Sequence, residues 1–329
     1  MKILVTGGAG FIGSNFILKY IDKHQIVNYD KLTYAGNINN LNSIQNSTNY
    51  TFVKGCINDN KLFIDTLNRF KPNVILNFAA ESHVDRSIDG PKAFIETNIL
   101  GTFEILNSSL DYYNNLGNLD KEKFKFLHVS TDEVYGSLGI NNKFKETNPY
   151  KPSSPYSASK ASSDHLVNAW YKTFKLPILI TNCSNNYGPY QFPEKLIPLV
   201  ITNCLQYKEI PVYGNGENIR DWIYVDDHCD ALYKVLENGI IGETYNIGGN
   251  QEVKNIDIVK NICNILDSKK PLDNFRSYSD LITFVKDRPG HDFRYAIDSS
   301  KIEKQLDYCP KDNIKTGLKK TIDWYLSNI

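Results

Sequence analysis

The sequence predicts an α/β protein with a Rossmann-type, doubly wound parallel sheet and a smaller C-terminal α/β domain. In residues 1–185, short β-branched runs alternate with longer amphipathic stretches, which is typical of βαβ units. Three spaced glycines follow the first of these runs, where a strand would turn into a helix. Beyond residue 185 the alternation weakens and prolines separate shorter elements. We therefore expect two packed domains, 1–185 and 186–329, with some late segments returning to the first sheet.

The strands and helices of the first domain follow from local patterns. Helices are expected to begin near five positions: Phe11, Ile38, Asp59, Pro91 and Pro155. Proline suits the first turn of the last two, because its missing N–H would be unpaired there anyway. The predicted strands are Ile3–Thr6, Ile26–Asp30, Thr51–Lys54, Val74–Asn77, Phe126–Ser130 and Ile178–Asn182.

Composition excludes several classes of function. Lys+Arg and Asp+Glu are both 37 in 329 residues, so no overall basic field predicts a nucleic-acid or membrane partner. The sequence contains no run of 18 apolar residues, so no membrane span is predicted, and the N-terminal apolar run is too short for a signal peptide. The six cysteines are scattered, with no CxxC pair and no histidine at ligand spacing. We expect no metal site, and a reducing, cytoplasmic location.

The glycines predict a dinucleotide site. Gly7, Gly10 and Gly13 lie between the first strand and first helix, where they permit a tight turn and close approach of a pyrophosphate to the helix N-terminus. The second strand ends in Asp30, whose carboxylate would bond the ribose hydroxyls and repel a 2′-phosphate, so NAD is favoured over NADP. An unliganded glycine turn is the alternative. Further strand ends should face the cofactor, with Ile57 and Asp59 after the third and Ala79–Ala80 after the fourth.

A tyrosine followed by a lysine four residues later occurs three times. Tyr50 and Lys54 share a strand, where the pair would lie about 13 Å apart, and they are expected to be structural. Tyr156–Lys160 and Tyr171–Lys175 share the fifth helix, on which residues four apart are neighbours. Only Tyr156 lies at the end that faces the carboxyl ends of the strands. A lysine and a positive nicotinamide ring would favour its phenolate. Tyr171 should face the core or a partner subunit.

Two carboxylates follow the fifth strand in the run Ser130–Thr131–Asp132–Glu133. An arbitrary Asp-Glu pair is more often a solvated turn or a helix cap. This pair lies where a substrate would meet the nicotinamide, and two carboxyls in different surroundings can hold different protonation states. One would then be an acid and the other a base.

These residues resemble the extended short-chain dehydrogenase/reductases, and within them the nucleotide-sugar 4,6-dehydratases. Most members with other chemistry, such as sugar 4-epimerases, lack the Asp-Glu pair. The resemblance runs nearly end to end, through GGAGFIGSNF (7–16), AAESHVDRSI (79–88), STDEVYG (130–136), YSASKASSDHLV (156–167), TNCSNNYGPYQFPEKLIPL (181–199), RDWIYVDDH (220–228) and RPGHDFRYAID (288–298).

The resemblance implies a redox-neutral reaction on a nucleotide-activated glucose. Tyr156, helped by Lys160 and Thr131, would take the proton of the 4-hydroxyl while NAD receives the C4 hydride. Glu133 would remove the C5 proton and Asp132 would protonate the departing 6-hydroxyl. Return of the hydride to C6 and of the proton to C5 would give a 4-keto-6-deoxy sugar nucleotide and water.

The resemblance also implies two binding sets. The substrate set comprises Ser82, His83, Asn185, Lys195, Leu196, Pro211, Tyr213, Arg220, Asn255, Arg288 and His291. Taken singly, Arg220, Arg288 and His291 would more often be structural, and His128 inside its strand is expected to be core. The cofactor set comprises Gly7, Gly10, Phe11, Ile12, Gly13, Asp30, Lys31, Thr33, Gly36, Cys56, Ile57, Ala79, Ala80, Thr97, Tyr156, Lys160 and Asn186.

The sequence departs from the family pattern at Cys56, where a carboxylate is expected to bond the adenine amino group. Cofactor affinity would fall, or Asp59 would compensate. The family also implies a homodimer joined by helices near 98–113 and 156–174, and aromatics there suit such an interface or pack on the sheet. These aromatics are Phe103, Tyr112, Tyr113, Trp170 and Tyr171.

Two alternatives stay open at the level of sequence. A sugar 4-epimerase or another sugar-nucleotide enzyme could share this scaffold, and the mass of the product would distinguish it because epimerisation loses no water. A non-catalytic NAD-binding scaffold would show no turnover. Thymidine and uridine nucleotides are not separated either, since the bases differ by one methyl group, worth only about 1–3 kcal/mol in a pocket.

Overall fold

The computed structural model describes residues 1–272 and 276–328 and contains a seven-stranded parallel sheet. The strands lie in the order β3-β2-β1-β4-β5-β6-β10, so the order reverses beside β1 as in doubly wound folds. Their bounds are β1 Lys2–Thr6, β2 Gln25–Asp30, β3 Tyr50–Lys54, β4 Val74–Asn77, β5 Lys125–Thr131, β6 Ile178–Cys183 and β10 Thr244–Ile247.

Helices cover both faces of this sheet. Seven precede residue 175: α1 Phe11–Tyr20, α2 Asn60–Phe70, α3 Val84–Asp89, α4 Lys92–Phe94, α5 Thr102–Asn114, α6 Asn118–Lys121 and α7 Pro155–Phe174. In the described part of the remaining chain, five follow: α8 Leu196–Leu205, α9 Val225–Asn238, α10 Asn255–Lys269, α11 Ser300–Leu306 and α12 Ile314–Asn328. Apolar residues of α1, α9 and α11 share one buried cluster with the sheet, and those of α2, α5 and α7 share another. The strands are therefore apolar on both sides, as buried parallel strands must be.

The remaining elements enclose a separate core. A three-stranded sheet joins β7 (Asn185–Tyr187), β9 (Ile219–Tyr224) and β11 (Glu252–Lys254), and a two-stranded sheet joins β8 (Ile210–Tyr213) to β12 (Ile282–Val285). Helices α8, α10 and α12 bury their apolar faces against these strands. This layer lies at the carboxyl ends of β5 and β6, because β7 follows β6 after only one residue.

The fold class predicted from the sequence is confirmed, and all six predicted strands lie in the large sheet. Strand β10, from the second half of the chain, pairs in parallel with β6, and α9 and α11 pack on the same sheet. The predicted boundary at residue 185 therefore does not separate the two packed units, because these later segments belong to the large sheet, as expected for some of them.

Two expected helices take a different form. The segment Ile38–Ile44 is a 3₁₀ helix, whose start is capped by the Asn37 side chain, which accepts from the Asn39 N–H at 3.1 Å. Its asparagines compete with helical backbone bonding, which disfavours a regular α-helix. The helix expected from Pro91 is interrupted by a π-helical stretch, Ile95–Gly101, before α5 begins. Helix α3 was not predicted.

Neither a membrane span nor a metal cluster is found among the described residues. Across 1–272 and 276–328, no helix combines the length and apolar character that crossing a bilayer requires. Within the same ranges, no group of three or more His, Cys, Asp or Glu side chains is arranged to hold a metal ion.

Candidate active site

A long cleft opens at the carboxyl ends of the parallel strands, and the glycine turn after β1 forms its floor. Gly7 has φ of +70°, and a Cβ built there would lie 2.7 Å from the Ala79 nitrogen. Only glycine fits, because both the left-handed backbone and the close approach of the chain after β4 exclude a side chain. The turn thus exposes backbone to the cleft and starts α1 directly.

The start of α1 and the end of β2 suit a dinucleotide. Gly10 caps α1 with no side-chain hydrogen bond, so the first N–H groups remain available to an anion. Asp30 accepts hydrogen bonds from the N–H groups of Ala9 at 2.9 Å and Leu32 at 2.7 Å. Burial raises the pKa of Asp30, and these N–H groups oppose the rise. The carboxylate is thereby held rigidly at the edge of the cleft.

The predicted cofactor set comes together in this one cleft. Its lining contains every member, namely Gly7, Gly10, Phe11, Ile12, Gly13, Asp30, Lys31, Thr33, Gly36, Cys56, Ile57, Ala79, Ala80, Thr97, Tyr156, Lys160 and Asn186.

Asp59 does not take the place expected of it. Its carboxylate caps α2 by accepting from the Leu62 N–H at 3.0 Å, and it is absent from the cleft lining. Compensation by Asp59 stays a prediction, and the helix cap already engages one oxygen of its carboxylate. Cys56 does line the cleft, and its carbonyl oxygen accepts from the Tyr29 hydroxyl at 3.0 Å.

Helix α7 delivers Tyr156 and Lys160 to the cleft. Its start is set by Ser154, whose hydroxyl accepts from the Ser157 N–H at 3.1 Å in a capping box, with Pro155 at the first helical position. Tyr156 therefore lies in the first turn and Lys160 one turn later on the same face. Both side chains are buried, and both line the cleft.

The phenol and the ammonium have opposing shifts. Burial raises the pKa of Tyr156 well above 10, Glu133 raises it further, and the neighbouring Thr131 hydroxyl lowers it. Burial lowers the pKa of Lys160, whose Nζ donates to the Val129 carbonyl at 2.9 Å. A phenolate therefore needs additional positive charge, such as an oxidised nicotinamide ring beside it.

The two adjacent carboxyls occupy different surroundings, as a division of roles requires. Asp132 is buried behind the cleft; its pKa is raised well above the ordinary value by burial and then by Glu133. Its Oδ1 accepts from the Thr131 hydroxyl at 3.3 Å, while Oδ2 has no partner among the described residues. Glu133 lines the cleft. Burial raises its pKa too, but Arg288, Lys195 and Arg220 oppose this. Asp132 therefore favours the acid form, and Glu133 is held closer to its carboxylate form.

Neither of the other tyrosine–lysine pairs lines the cleft. The Tyr50 hydroxyl accepts from the Asn28 side chain at 3.0 Å, which agrees with a structural role. The Tyr171 ring lies against Gly242, where a Cβ would come within 2.2 Å of it. His128 is fully buried in β5.

Much of the predicted interface aromatic set packs within the chain. Phe103 and Trp170 make an edge contact with ring centroids 5.8 Å apart, and Tyr112 and Tyr113 both lie against Phe124. Exposed apolar side chains on these helices belong instead to Ile95, Leu100 and Phe174.

A basic cluster forms the other end of the site. The positive charges of Lys195, Arg220 and Arg288 each lower the pKa of Glu133. Lys195 Nζ donates to the Ser82 carbonyl at 2.8 Å, and Arg220 is fixed by the carbonyls of Ile219 and Asp292 at 2.8 and 3.0 Å. Three cations from separate segments so close together suit a doubly charged anionic group.

Several polar atoms near this cluster lack partners in the part of the chain that the structure describes. They are Asn185 Oδ1, Asn255 Oδ1 and Arg288 Nε. Buried polar atoms are normally satisfied, so unpaired ones mark a place where a ligand would complete the bonding.

The rest of the predicted substrate set surrounds the same region without lining the cofactor cleft. The Tyr213 hydroxyl donates to Asp85 Oδ2 at 3.2 Å, and Arg288 Nη1 donates to Asp85 Oδ1 at 3.2 Å. His291 Nδ1 lies 2.6 Å from Asp287, and His83 caps α3. Leu196 begins α8, and Pro211 lies in β8. Of the set, Ser82, Asn185 and Lys195 line the cleft itself.

Sequence reasoning missed some cleft residues, among them Glu81, Phe192 and Glu194. Glu81 follows Ala79–Ala80 directly, so the rule on strand ends would have found it. Its backbone N–H and carbonyl both bond the Asn98 side chain at 2.8 and 3.0 Å. Asn98 belongs to the π-helical stretch, and its placement had no signal in the sequence pattern.

Comparison with known proteins shows the family of the chain. The family model described as GDP-mannose 4,6 dehydratase matches residues 4–321. The chain belongs to this family of nucleotide-sugar 4,6-dehydratases.

Within the dehydratase family, the chain is similar to curated dTDP-glucose 4,6-dehydratases. The protein from Xanthomonas campestris pv. campestris (strain B100) is 54% identical over 326 residues, which cover 99% of this chain and 93% of the relative. A dTDP-glucose 4,6-dehydratase from Bacillus anthracis, solved in complex with NAD, is 46% identical with a TM-score of 0.87, covering 100% of this chain and 97% of that one. One from Streptomyces venezuelae, also solved with NAD bound, is 43% identical with a TM-score of 0.89, covering 100% of this chain and 98% of that one.

Proposed function

We propose that this protein is an NDP-glucose 4,6-dehydratase that binds NAD and acts on dTDP-glucose. One observation carries the proposal: Glu133 lines the dinucleotide cleft together with Tyr156, and the adjacent Asp132 is buried behind it, where burial and Glu133 raise its pKa well above the ordinary value. The names of the 54% identical relatives support thymidine as the base.

NAD fits the residues that would hold it. The free N–H groups at the start of α1 suit its pyrophosphate, and Asp30 suits the ribose hydroxyls of the adenosine. When bound, NAD supplies a hydride acceptor for C4 and a hydride donor for C6. The chain's own residues supply the proton chemistry.

Each catalytic residue has a place in that proton chemistry. Tyr156 as phenolate takes the proton of the 4-hydroxyl, with Thr131 and Lys160 beside it. The resulting 4-ketone acidifies C5, and Glu133 removes that proton. Asp132, which favours its protonated form, donates to the departing 6-hydroxyl, so one water leaves. Glu133 then returns its proton to C5.

The basic cluster would hold the diphosphate. Lys195, Arg220 and Arg288 offer charge-assisted hydrogen bonds, and a bound diphosphate would also engage the unpaired Arg288 Nε. The unpaired oxygens of Asn185 and Asn255 can only accept hydrogen bonds, so they would receive them from hydroxyl or N–H groups elsewhere on the substrate, with Tyr213 and His291 at the rim. We therefore assign residues 186–329 mainly to substrate binding, with α9, β10 and α11 as part of the cofactor-binding unit.

We also propose a homodimer that works in the cytoplasm. Ile95, Leu100 and Phe174 are about half exposed on the helices that the family resemblance assigns to the interface. All six cysteines are unpaired, which suits a reducing compartment.

Mass spectrometry tests the proposed function. Purified protein incubated with dTDP-glucose, without added cofactor, should yield a product lighter by about 18 mass units, one water. UDP-glucose, offered separately, should react more slowly. An isomer of unchanged mass would indicate an epimerase, and no turnover despite bound NAD would indicate a non-catalytic scaffold.

A further inference from the structure

A buried carboxylate lies one helical turn beyond Lys160. Tyr156, Lys160 and Asp164 are spaced four residues apart on α7, so all three lie along one face of the helix. Asp164 is completely buried and does not line the cleft. Protein groups surround both of its oxygens, so any role that it has in the reaction must act through a neighbour.

Three donors from three different segments converge on one oxygen of Asp164. Its Oδ2 accepts from the Ser130 hydroxyl at 2.9 Å, the Tyr150 hydroxyl at 3.0 Å and the Asn182 amide at 3.2 Å. Each of these hydrogen bonds stabilises negative charge on a carboxylate more than it stabilises a neutral carboxyl. The arrangement therefore selects the negatively charged form of Asp164 in the interior.

The other oxygen of Asp164 faces Lys160 across His128. Asp164 Oδ1 lies 3.4 Å from His128 Nε2, which lies 3.5 Å from Lys160 Nζ. Oδ1 has no hydrogen-bond partner among the described residues, so no donor offsets the negative charge on that oxygen.

The tautomer of His128 follows from a chain of hydrogen bonds. The Thr6 hydroxyl donates to Asn77 Oδ1 at 2.6 Å, which orients the Asn77 amide to donate to His128 Nδ1 at 3.0 Å. Nδ1 is therefore an acceptor, and the single proton of a neutral ring lies on Nε2. Burial lowers the pKa of His128 to about 4, so the ring is neutral near pH 7. It carries no charge to offset Asp164.

Lys160 is the cation that remains to balance Asp164. Burial disfavours the Lys160 ammonium, and Asp164 is the group that most strongly opposes this. Cys183 on β6 also raises the pKa of Lys160. The pKa of Tyr156 is raised by Glu133, Cys183 and Asp132 and lowered by the Thr131 hydroxyl, all from the ends of β5 and β6 or the turn after β5. A carboxylate and an ammonium buried together compensate each other's loss of hydration, which neither could do alone.

We propose that Asp164 is a positioning residue, the counter-charge that keeps Lys160 an ammonium one helical turn from Tyr156. The proposal rests on the proposed function of Tyr156 and Lys160. If Asp164 were lost, Lys160 would release its proton more easily, and the Tyr156 phenolate would lose a stabilising charge.

The test compares Asp164→Asn with Tyr150→Phe. The first removes the charge at nearly constant shape, and the second removes one hydrogen bond to the same oxygen while the charge stays. In Asp164→Asn, the acid limb of the kcat/KM profile should move up by at least one pH unit, about tenfold in proton affinity, because the phenolate forms at higher pH. In Tyr150→Phe the limb should stay in place. Equal shifts in both variants, or lower activity with no shift in Asp164→Asn, would overturn the proposal.

A spectroscopic titration separates this proposal from the proposed function. The ultraviolet absorbance of the Tyr156 phenolate is obtained as the difference between proteins with Tyr156 and with Phe at that position, in wild-type and Asp164→Asn backgrounds. The phenol should titrate at higher pH without Asp164 even in cofactor-free protein. If wild type failed to release water, the proposed function would fall, whereas an unchanged titration would refute only the role of Asp164.

A stability comparison covers the case in which Asp164→Asn alone does not fold. Urea unfolding of Lys160→Met and of the Lys160→Met/Asp164→Asn double variant should show that Asp164→Asn costs much less once Lys160 is absent. A double variant that fails to fold beside a stable Lys160→Met would contradict the pairing.

Discussion

The two ends of the cleft are built in different ways. At the cofactor end, most of the predicted contacts lie on the ends of parallel strands, on the turns that follow them or at the start of α1 or α7. Among the described residues, none of their buried polar side-chain atoms is unpaired, and Asp30 accepts two backbone hydrogen bonds. At the substrate end, the predicted contacts come from β7, β8, β9, α8, α10 and a late loop, and several of their polar atoms are unpaired. One end is complete before its ligand arrives, and the other is completed by it.

This difference has a physical cause. A parallel sheet brings the carboxyl ends of its strands to one edge, so a cofactor site there is a by-product of the fold. A diphosphate site requires buried cations, and the fold tolerates these only when a counter-charge is near. Asp85 supplies part of that charge by pairing with Arg288 at 3.2 Å.

The largest effect is expected where the two ends meet. Tyr156→Phe removes the group that accepts the 4-hydroxyl proton, and it should lower kcat by about 10²–10⁴-fold. Bound NAD should not be reduced on mixing with dTDP-glucose, as followed by nicotinamide absorbance, while the affinity for both ligands should change little. Rapid reduction of NAD in this variant would assign the proton of the first step to another group.

Glu133→Gln should separate the steps that Tyr156→Phe blocks together. Absorbance of reduced nicotinamide should appear at nearly the normal rate, whereas product lacking water should fall by about 10²-fold or more, because only the C5 proton step is removed. Equal loss of both steps would contradict the division of roles.

The protonation states of the carboxyl pair give the pH dependence. The raised pKa of Asp132 favours the protonated form, which is the form that can donate. Water loss should therefore decline as pH rises through that pKa, while reduction of NAD, which needs the Tyr156 phenolate, should improve with pH. Single-turnover rates of the two steps, measured across pH, should show these opposite slopes in wild type. Parallel slopes would exclude Asp132 as the acid.

Gly7→Ala tests whether the cofactor end is rigid. The new Cβ would lie 2.7 Å from the Ala79 nitrogen, at a φ of +70°, so backbone must shift at a cost of about 1–3 kcal/mol. NAD affinity, measured by calorimetry, should drop by about 10–100-fold. Gly117→Ala is the matched control, because no atom lies within 4 Å of a Cβ there. Unchanged NAD affinity in Gly7→Ala would show that this turn can adapt.

Arg288→Lys tests the substrate end and should be milder. Lysine keeps the charge but loses the forked donors that suit a diphosphate, and the lost hydrogen bond is worth about 1.5 kcal/mol. KM for dTDP-glucose should rise by about tenfold, with kcat and NAD affinity nearly unchanged. A fall in NAD affinity would mean that the two ends are coupled.

The same contrast explains what the sequence could predict. The six strands, the glycine turn, Asp30 and the position of Tyr156 at the start of α7 follow from periodicity, spacing and caps within about 30 residues of one another. Arg288 and Tyr213 meet Asp85 from more than 120 residues away, and no local pattern signals that meeting. Only the resemblance to a family pointed to them. The cap that Asp59 forms on α2 was not predicted either, although an aspartate directly before a helix is a typical cap.

The smallest effect is expected at Cys56, where the cofactor end lacks a carboxylate that the family resemblance implies. Cys56 lines the cofactor end where the family resemblance implies a carboxylate, and Asp59 is engaged in its cap. Cys56→Asp should add a hydrogen bond to the adenine amino group, worth about 0.5–1.5 kcal/mol, so NAD should bind about 2–10-fold more tightly. Cys56→Asn, which is similar in size without the charge, is the control, and calorimetry measures both. No gain from the aspartate would show that the backbone around Cys56 already holds the adenine, and the cofactor end would then be complete without that carboxylate.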